Sequence, residues 1–282
     1  MTKKYKIRFY TNKKELIGII DENKISIITP VYKCENFIEN TIKSVLNQTY
    51  TNWELLLVDD CSPDNSAEII KKYVEKDSRI KYLKIDKNRG VAIARNKALE
   101  EARGRFIAYL DADDLWKSTK LEKQVKFMLD NNYAFTCTDY EKIDEEGKSL
   151  NKIIEMPKYI NYNLFLRNTI IQTVAVMVDI GITGKSLLVM PNIRKSEDAA
   201  TWCQLLKNGY DCYRCPGNLS YYRVVKNSLS SNKFKAVKMN WYWYRKIEKL
   251  TFCKAVFCFI GYAYNATKKR MYIKKKYRKR VI

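Results

Sequence analysis

The sequence predicts an α/β fold: a mixed, mainly parallel sheet flanked by helices. Three observations lead there. From Ile25 onward, apolar strand-like runs alternate with stretches of helical periodicity, as a parallel sheet with crossover helices requires. Two of those runs end in acidic clusters, Leu55-Leu56-Leu57-Val58-Asp59-Asp60 and Phe106-Ile107-Ala108-Tyr109-Leu110-Asp111-Ala112-Asp113-Asp114. Carboxylates at strand C-termini converge on the crevice where open α/β sheets keep their chemistry. The length, 282 residues, is enough for one large domain with a buried core, or one domain with an appendage.

Residues 1–23 form a basic, weakly patterned arm with the character of a short hairpin. Ile25-Ser26-Ile27-Ile28-Thr29-Pro30 reads as a buried strand closed by proline, after which Phe37, Ile38, Ile42, Val45 and Leu46 recur at helical spacing. The unit repeats as strand 54–58 and helix 66–75, then as strand 80–84, helix 91–102 and strand 106–110. Ala134 to Thr138 adds a strand, Asp144 to Lys148 a turn, and Thr173 to Val178 another strand. Residues 198–208 read as a helix stopped by Gly209. The expected organisation is an arm over 1–23, a catalytic domain over 24–232 and a cationic, amphipathic helical region over 233–282.

Lysine and arginine total 53 against 31 acidic residues, for a net charge of +22 with no histidine. Such an excess implies a polyanionic partner: nucleic acid, an anionic membrane or a phosphorylated substrate. Most of the surplus lies beyond residue 232, where sixteen basic residues face only Glu248. The eight cysteines are scattered through apolar runs, and Cys212-x-x-Cys215 has only Cys203 nearby, so packing thiols are expected rather than disulfides or zinc. No apolar run reaches a membrane-spanning length and the first 22 residues lack a signal-peptide core, which points to a cytoplasmic protein or one peripheral on the membrane's inner face.

The Asp111-x-Asp113 spacing on extended backbone sends both carboxylates to one side. That suits a hard divalent cation held by few protein oxygens and by substrate phosphates, although a lone Asp-x-Asp is often only a solvated turn. Five blocks together sharpen the reading: Ile27-Ile28-Thr29-Pro30-Val31-Tyr32, Ser44-Val45-Leu46-Asn47-Gln48-Thr49, Val58-Asp59-Asp60-x-Ser62, Asn88-x-Gly90 with Ala94-Arg95-Asn96, and Asp111-x-Asp113-Asp114. In this order they resemble a family 2 inverting glycosyltransferase of the GT-A fold, the Rossmann-like nucleotide-diphospho-sugar transferase architecture, over roughly residues 24 to 232. Glu197-Asp198 and Tyr222-Arg223-Val224-Val225-Lys226-x-Ser228-x-Ser230 resemble the teichuronic-acid and surface-polysaccharide branch.

The resemblance implies a nucleotide-sugar donor, usually a UDP-sugar, and a lipid-linked or oligosaccharide acceptor. It makes Asp113 the ligand of Mn²⁺ or Mg²⁺ on the diphosphate and sends Asp111 to the ribose or a metal-bound water. Backbone around Pro30 and Val31 and the Tyr32 ring should wall the uracil, with Asp60 accepting from the base N3–H. Asp60 and Ser62 also have the pattern of a turn cap, and both roles are compatible. Arg95 falls where the family places a cation near the donor, the bland alternative being an exposed helix arginine. Arg223 and Lys226 are candidates for clamping the diphosphate, or else belong to a surface loop.

An inverting transfer also needs a base for the acceptor hydroxyl, and with no histidine in the chain a carboxylate suits best. Asp198 matches the family's base, although acidic residues in a first helical turn also stabilise helices unaided. One departure matters: many relatives have histidine where Val225 stands, and valine cannot ligate, so metal binding should rest on Asp113, phosphate and water. Two rival classes remain. A nucleotidyltransferase should show a glycine-rich loop after the first strand, and Thr29-Pro30-Val31-Tyr32-Lys33 has none; a basic nucleic-acid binder is the other, with no nucleic acid expected on the main reading. Met239–Tyr244 and Phe252–Tyr264 interleave aromatic and aliphatic residues with cations, which suits an anionic membrane surface or a helical cap on the domain.

Overall fold

The computed structural model describes residues 4–11, 14–168, 170–193, 196–225 and 240–278, with backbone alone for 4–20 and 266–278. The basic arm is a hairpin: β1 (Lys4–Thr11) pairs antiparallel with β2 (Lys14–Val31), and β2 runs on from the arm into the sheet. The opening strand is therefore longer than the apolar run 25–30 suggested.

The alternation then proceeds as α1 (Ile38–Leu46), β3 (Trp53–Asp59), α2 (Ser66–Val74), β4 (Ile80–Lys84), α3 (Val91–Glu101) and β5 (Gly104–Tyr109). Next come β6 (Leu115–Trp116), α4 (Lys120–Asn131), β7 (Phe135–Ile143), β8 (Ser149–Ile154), β9 (Tyr159–Ile160) and α5 (Tyr162–Arg167). The chain continues through β10 (Met177–Asp179), α6 (Ile180–Thr183), α7 (Glu197–Lys207) and β11 (Cys212–Arg223). Among the described residues, the last elements are a π-helical turn, Trp243–Ile247, and the long helix α8 (Phe252–Arg278).

The strands join in one sheet of order β4-β3-β2-β5-β10-β7-β11-β6. β4, β3, β2 and β5 are mutually parallel, β10 inserts antiparallel, and β7 and β11 are parallel again. Every residue of β3 is buried, as expected of a strand covered on both faces. One apolar cluster includes Ile28, Leu56, Ile107 and α7, and the other includes Ile27, Leu55, Leu57, α1 and α4. They lie on opposite faces because alternate residues of a strand point opposite ways.

Two expectations change. Thr173–Ala175 is a 3-10 turn rather than strand, and only Met177–Asp179 pairs. The sequence 111–114 is not extended: beyond β5 it closes a turn through Asp114 N–H to Asp111 O at 3.0 Å, so turn geometry rather than strand alternation aims its carboxylates. The stop at Gly209 holds, with φ of 85° and with the amides of Gly209 and Tyr210 donating to the carbonyls of Leu206 and Leu205. The expected boundary at 232/233 lies outside the described residues. Beyond it, Trp243, Tyr244, Leu250, Ala255 and Cys258 are buried in the same cluster as the central strands, so this segment shares the core. Of the cysteines, Cys34, Cys137, Cys203, Cys212, Cys215 and Cys258 are buried free thiols, consistent with packing roles.

Gly104 sets the join between β2 and β5. A Cβ there would lie 2.5 Å from Lys24 O and 2.7 Å from Ser26 N, both backbone atoms beside the register shift in β2. Its N–H donates to Ser26 Oγ at 2.8 Å, and Ser26 in turn donates to the buried Glu54. Gly104→Ala should lower stability by about 1–3 kcal/mol through overpacking, read as a lower urea midpoint with an unchanged m-value.

Candidate active site

The parallel strands deliver their C-terminal ends side by side, with β2 between β3 and β5. Pro30 and Val31 end β2, Asp59 ends β3 and Asp60 follows it, and Asp111 to Asp114 follow β5. Asp60 N–H donates to Val31 O at 2.9 Å and Leu110 N–H to Ile28 O at 3.0 Å, so both acidic segments are stitched to the central strand. Val31 is buried in the core, while Tyr32 is 45% exposed, with Lys33 Nζ 5.5 Å from its ring centroid.

Asp59 and Asp60 divide their work differently from the expectation. The turn cap is Asp59, which accepts from Ser62 N–H at 2.8 Å and from the Tyr82 hydroxyl at 2.7 Å. Asp60 instead accepts from the amides of Arg89 and Gly90 at 2.8 and 2.7 Å, at the start of α3. Gly90 holds φ at 93°, a left-handed-side conformation open to glycine, which lets both amides point at one carboxylate. The Asn88-x-Gly90 block thus fixes Asp60, whose remaining lone pairs can still accept from a base.

Arg95 is not an exposed helix arginine. It is 4% exposed, reaching from α3 to place Nη2 at 2.6 Å from Asp111 Oδ1 and Nη1 at 3.1 Å from Glu197 Oε1. Its charge is also felt by, and feels, Asp198, so the acid turn after β5 and the start of α7 meet around one buried cation. Neighbouring Asn96 clamps the loop before α7, its side chain bonding both Met190 O and Met190 N–H at 2.8 Å. Sequence reasoning gave Glu197 and Asn96 no role, although both stood inside the quoted blocks.

The three carboxylates of the acidic turn have three environments. Asp111 pairs with Arg95. Asp114 is buried and accepts from Arg223 N–H at 2.8 Å; burial, then Asp113 and Asp111, push its carboxyl well above the ordinary range. Asp113 makes no ion pair among the described residues, and burial, reinforced by Asp111, pushes its carboxyl up to about 6. Thr41 Oγ1 lies 2.9 Å from both Ala112 O and Asp114 O, Ser44 Oγ accepts from Trp116 N–H, and Gln48 bridges Lys117 O and Leu121 N–H. Thr41 therefore braces the acidic turn from behind, and the Ser44–Thr49 block braces the segment that follows it.

Arg223 does not present a free cation to a ligand. At 4% exposure, its Nε donates to Asp113 O at 2.6 Å and its Nη1 to the carbonyls of Asp144 and Glu145. These contacts give it a structural role beside the diphosphate contact expected of it: as the last residue of β11 it fastens the acidic turn to the segment that follows β7. Lys226 lies outside the described residues.

Asp198 stands at the first turn of α7, partly exposed. Its Oδ2 accepts from the Thr173 hydroxyl at 3.1 Å and its Oδ1 from Ala199 N–H at 2.7 Å. Two held oxygens fix the carboxylate while leaving lone pairs for an incoming hydroxyl. Glu197 beside it is buried, and burial followed by Asp198 raises its carboxyl above the ordinary range. Arg95 thus joins the turn that bears Asp111 and Asp113 to the helix start that bears Asp198, Asp60 lies beyond the adjacent β3, and Arg223 backs the turn.

The donor set fits a hard divalent cation. Asp113 is a part-buried carboxylate with no ion pair among the described residues, next to a second carboxylate, and oxygen ligands are what Mn²⁺ and Mg²⁺ take. No group of three or more Asp, Glu, Cys or His side chains forms a complete site among the described residues, so phosphate and water would supply the other positions. A carboxyl raised in the folded state binds its proton more tightly folded than unfolded. Its stabilising share is full below the unfolded value near 3.8 and is lost as pH rises through about 6. Metal-free Asp113→Asn should consequently be more stable than the parent at pH 8, by on the order of 1–3 kcal/mol, with the difference closing below about pH 4 in pH-resolved thermal melts.

Comparison with known proteins agrees with this geometry. The family model for glycosyl transferase family 2 matches residues 26–183. The chain is 47% identical over 88% of its length to the putative teichuronic acid biosynthesis glycosyltransferase TuaG of Bacillus subtilis (strain 168), covering 97% of that protein. It is 41% identical over 79% of its length to the Escherichia coli UDP-Glc:alpha-D-GlcNAc-diphosphoundecaprenol beta-1,3-glucosyltransferase WfgD, covering 85% of it. Among solved structures, S. aureus TarS in complex with UDP-GlcNAc aligns with a TM-score of 0.64 at 17% identity, over 79% of this chain and 67% of that one. The Pyrobaculum calidifontis mannosyltransferase PcManGT with GDP-Man and Mn²⁺ aligns at 0.64 and 19% identity, over 85% and 69%. The fold is thus GT-A, and the chain belongs to glycosyl transferase family 2 as a glycosyltransferase.

Proposed function

We propose that this chain is a metal-dependent, inverting glycosyltransferase that moves a sugar from a UDP-sugar to a lipid-linked glycan acceptor. Its place is bacterial surface-polysaccharide synthesis at the inner, anionic face of the membrane. The observation that supports this most directly is the meeting, around buried Arg95, of an acidic turn bearing the unpaired Asp113 with the helix start bearing Asp198. The names of TuaG and WfgD, which print teichuronic acid and a diphosphoundecaprenol acceptor, support the pathway and the lipid-linked acceptor.

In this reading Tyr32 and the backbone at Pro30 and Val31 wall the base, and Asp60, fixed by two amides, accepts its N3–H. Asp113 would hold Mn²⁺ or Mg²⁺, with Asp111 beside it for the ribose or a water. Such an ion would supply neutralisation of the charge that builds on the leaving diphosphate. Asp198 takes the proton of the acceptor hydroxyl as its oxygen attacks the anomeric carbon on the face opposite the leaving group, and the Thr173 hydroxyl keeps that carboxylate aimed. Arg95 balances the carboxylates on either side, holding Asp111 and Glu197 in place while Asp198 stays free to accept.

Thermal shift with UDP, GDP and several UDP-sugars, with and without Mn²⁺, tests the donor. UDP should stabilise the parent more with Mn²⁺ than without, and Asp113→Asn should lose that difference. Asp198→Asn should retain UDP binding while transfer falls by roughly a hundredfold or more, the scale of losing a general base. An Asp198→Asn enzyme that turns over normally removes the base assignment.

A further inference from the structure

Among the described residues no helix is long and apolar enough to cross a membrane. Helix α8 nevertheless has a distinctive surface. Cys253, Phe257, Ile260 and Tyr264 are exposed, the last three by 63%, 63% and 64%. Their spacing of four, three and four residues places them on one face of the helix. Its other side is taken: Ala255 and Cys258 are buried in the domain core, and Lys254 lies over the Tyr162 ring of α5.

The seat on α5 is tight. A Cβ at Gly261 would come within 2.9 Å of Arg167 Cγ, and Asn265 Nδ2 donates to Arg167 O at 3.1 Å. The aromatic stripe is therefore held at a fixed attitude to the domain. Along the chain α5 is followed by the Thr173–Ala175 turn, whose Thr173 hydroxyl holds Asp198. The stripe is thus anchored to the segment that supports the acceptor side of the site. The same helix then continues through Lys268, Lys269, Arg270, Lys274, Lys275, Lys276 and Arg278, with no acidic residue between Phe252 and Arg278.

We propose that the Cys253–Phe257–Ile260–Tyr264 face of α8 is the surface that lies in the interface of an anionic bilayer, with the cationic continuation of the helix held at the headgroups. An apolar, aromatic stripe joined to a segment rich in cations and free of acidic residues is what such an interface selects, since burial of the stripe and attraction to acidic lipid add. A second copy of the chain is the less suited occupant, because α8, with eight basic residues and no acidic one, would meet a helix of the same charge. The inference deepens the membrane part of the proposed function, and its test uses neither donor nor acceptor, so its failure leaves the transferase reading standing.

Flotation of the full chain with vesicles of phosphatidylethanolamine containing about 30% phosphatidylglycerol, beside vesicles of phosphatidylcholine alone, reads the surface. The parent should float with the acidic vesicles and about tenfold or more less with the neutral ones. Phe257→Glu/Ile260→Glu should weaken partition into acidic vesicles by about tenfold or more, with melting temperature and UDP binding unchanged. Because Phe257 also meets the Arg167 guanidinium, at 5.8 Å from its ring centroid, Ile260→Glu alone serves as a second variant that spares this contact. Equal partition of parent and both variants overturns the proposal, as does a parent that fails to float. A concentration-dependent dimer dispersed by Ile260→Glu, without vesicle binding, assigns the face to a second copy instead.

Discussion

The site depends on one buried guanidinium. Arg95 sits where Asp111 and Glu197 converge and where Asp198 also bears on its charge. Taking an arginine out of water costs several kcal/mol unless carboxylates replace the lost solvation, and a cluster of carboxylates cannot be buried together without a cation. Each half therefore requires the other. The acidic turn follows β5 and α7 lies far along the chain, so this ion pairing is also what fixes the turn and the helix start relative to each other. Asp113 and Asp114 exceed what Arg95 balances, and Arg223, engaged with carbonyls behind the turn, only partly answers them. Asp114 meets the shortfall by holding its proton more tightly, and Asp113 does so to a lesser degree, which under the proposed function leaves it to be answered by a cation.

Much of this was legible because the sheet is written in apolar runs ending in acids. The order of β3, β4 and β5 and their helices, and the placing of Asp60, Asp111 and Asp113 just beyond strand ends, follow from that pattern, while the stop at Gly209 follows from its left-handed φ. What escaped was the division of labour among adjacent acids. Asp59 and Asp60 are interchangeable on paper, and only the path of the chain shows that Ser62 N–H meets the first and the amides of Arg89 and Gly90 the second. Arg223 escaped for a related reason: an arginine beside an acidic turn has the charge of a phosphate clamp, while its burial at the end of β11 turns it to carbonyls. Lys120 gave no warning at all. It is fully buried in α4 against Gln124 and the Trp116 ring, and burial lowers its ammonium to about 7.

The motif blocks gain physical meaning once their contacts are known. Ser44 and Gln48 bind nothing in the crevice; they brace the segment that follows the acidic turn. Asn96 pins Met190, and so the loop leading toward α7. Such residues keep a turn and a helix start, both irregular elements with few backbone partners, in one geometry. A family signature of this kind is largely a signature of support, with the reacting groups a minority within it.

Asp198 illustrates why the support matters. A general base must be ionised, aimed and unspent, and these demands conflict, because every hydrogen bond that aims a carboxylate also occupies a lone pair. The chain resolves the conflict by separating the tasks. Glu197 takes the direct bond to Arg95, while Asp198, one residue on, stays within that cation's field and is oriented by Thr173 and Ala199. With Asp198 as the proposed base, reversing the two would put that carboxylate into a 3.1 Å ion pair and leave the buried one without its bond to Arg95. On that proposal the adjacency of the two acids at the start of α7 separates the paired carboxylate from the accepting one.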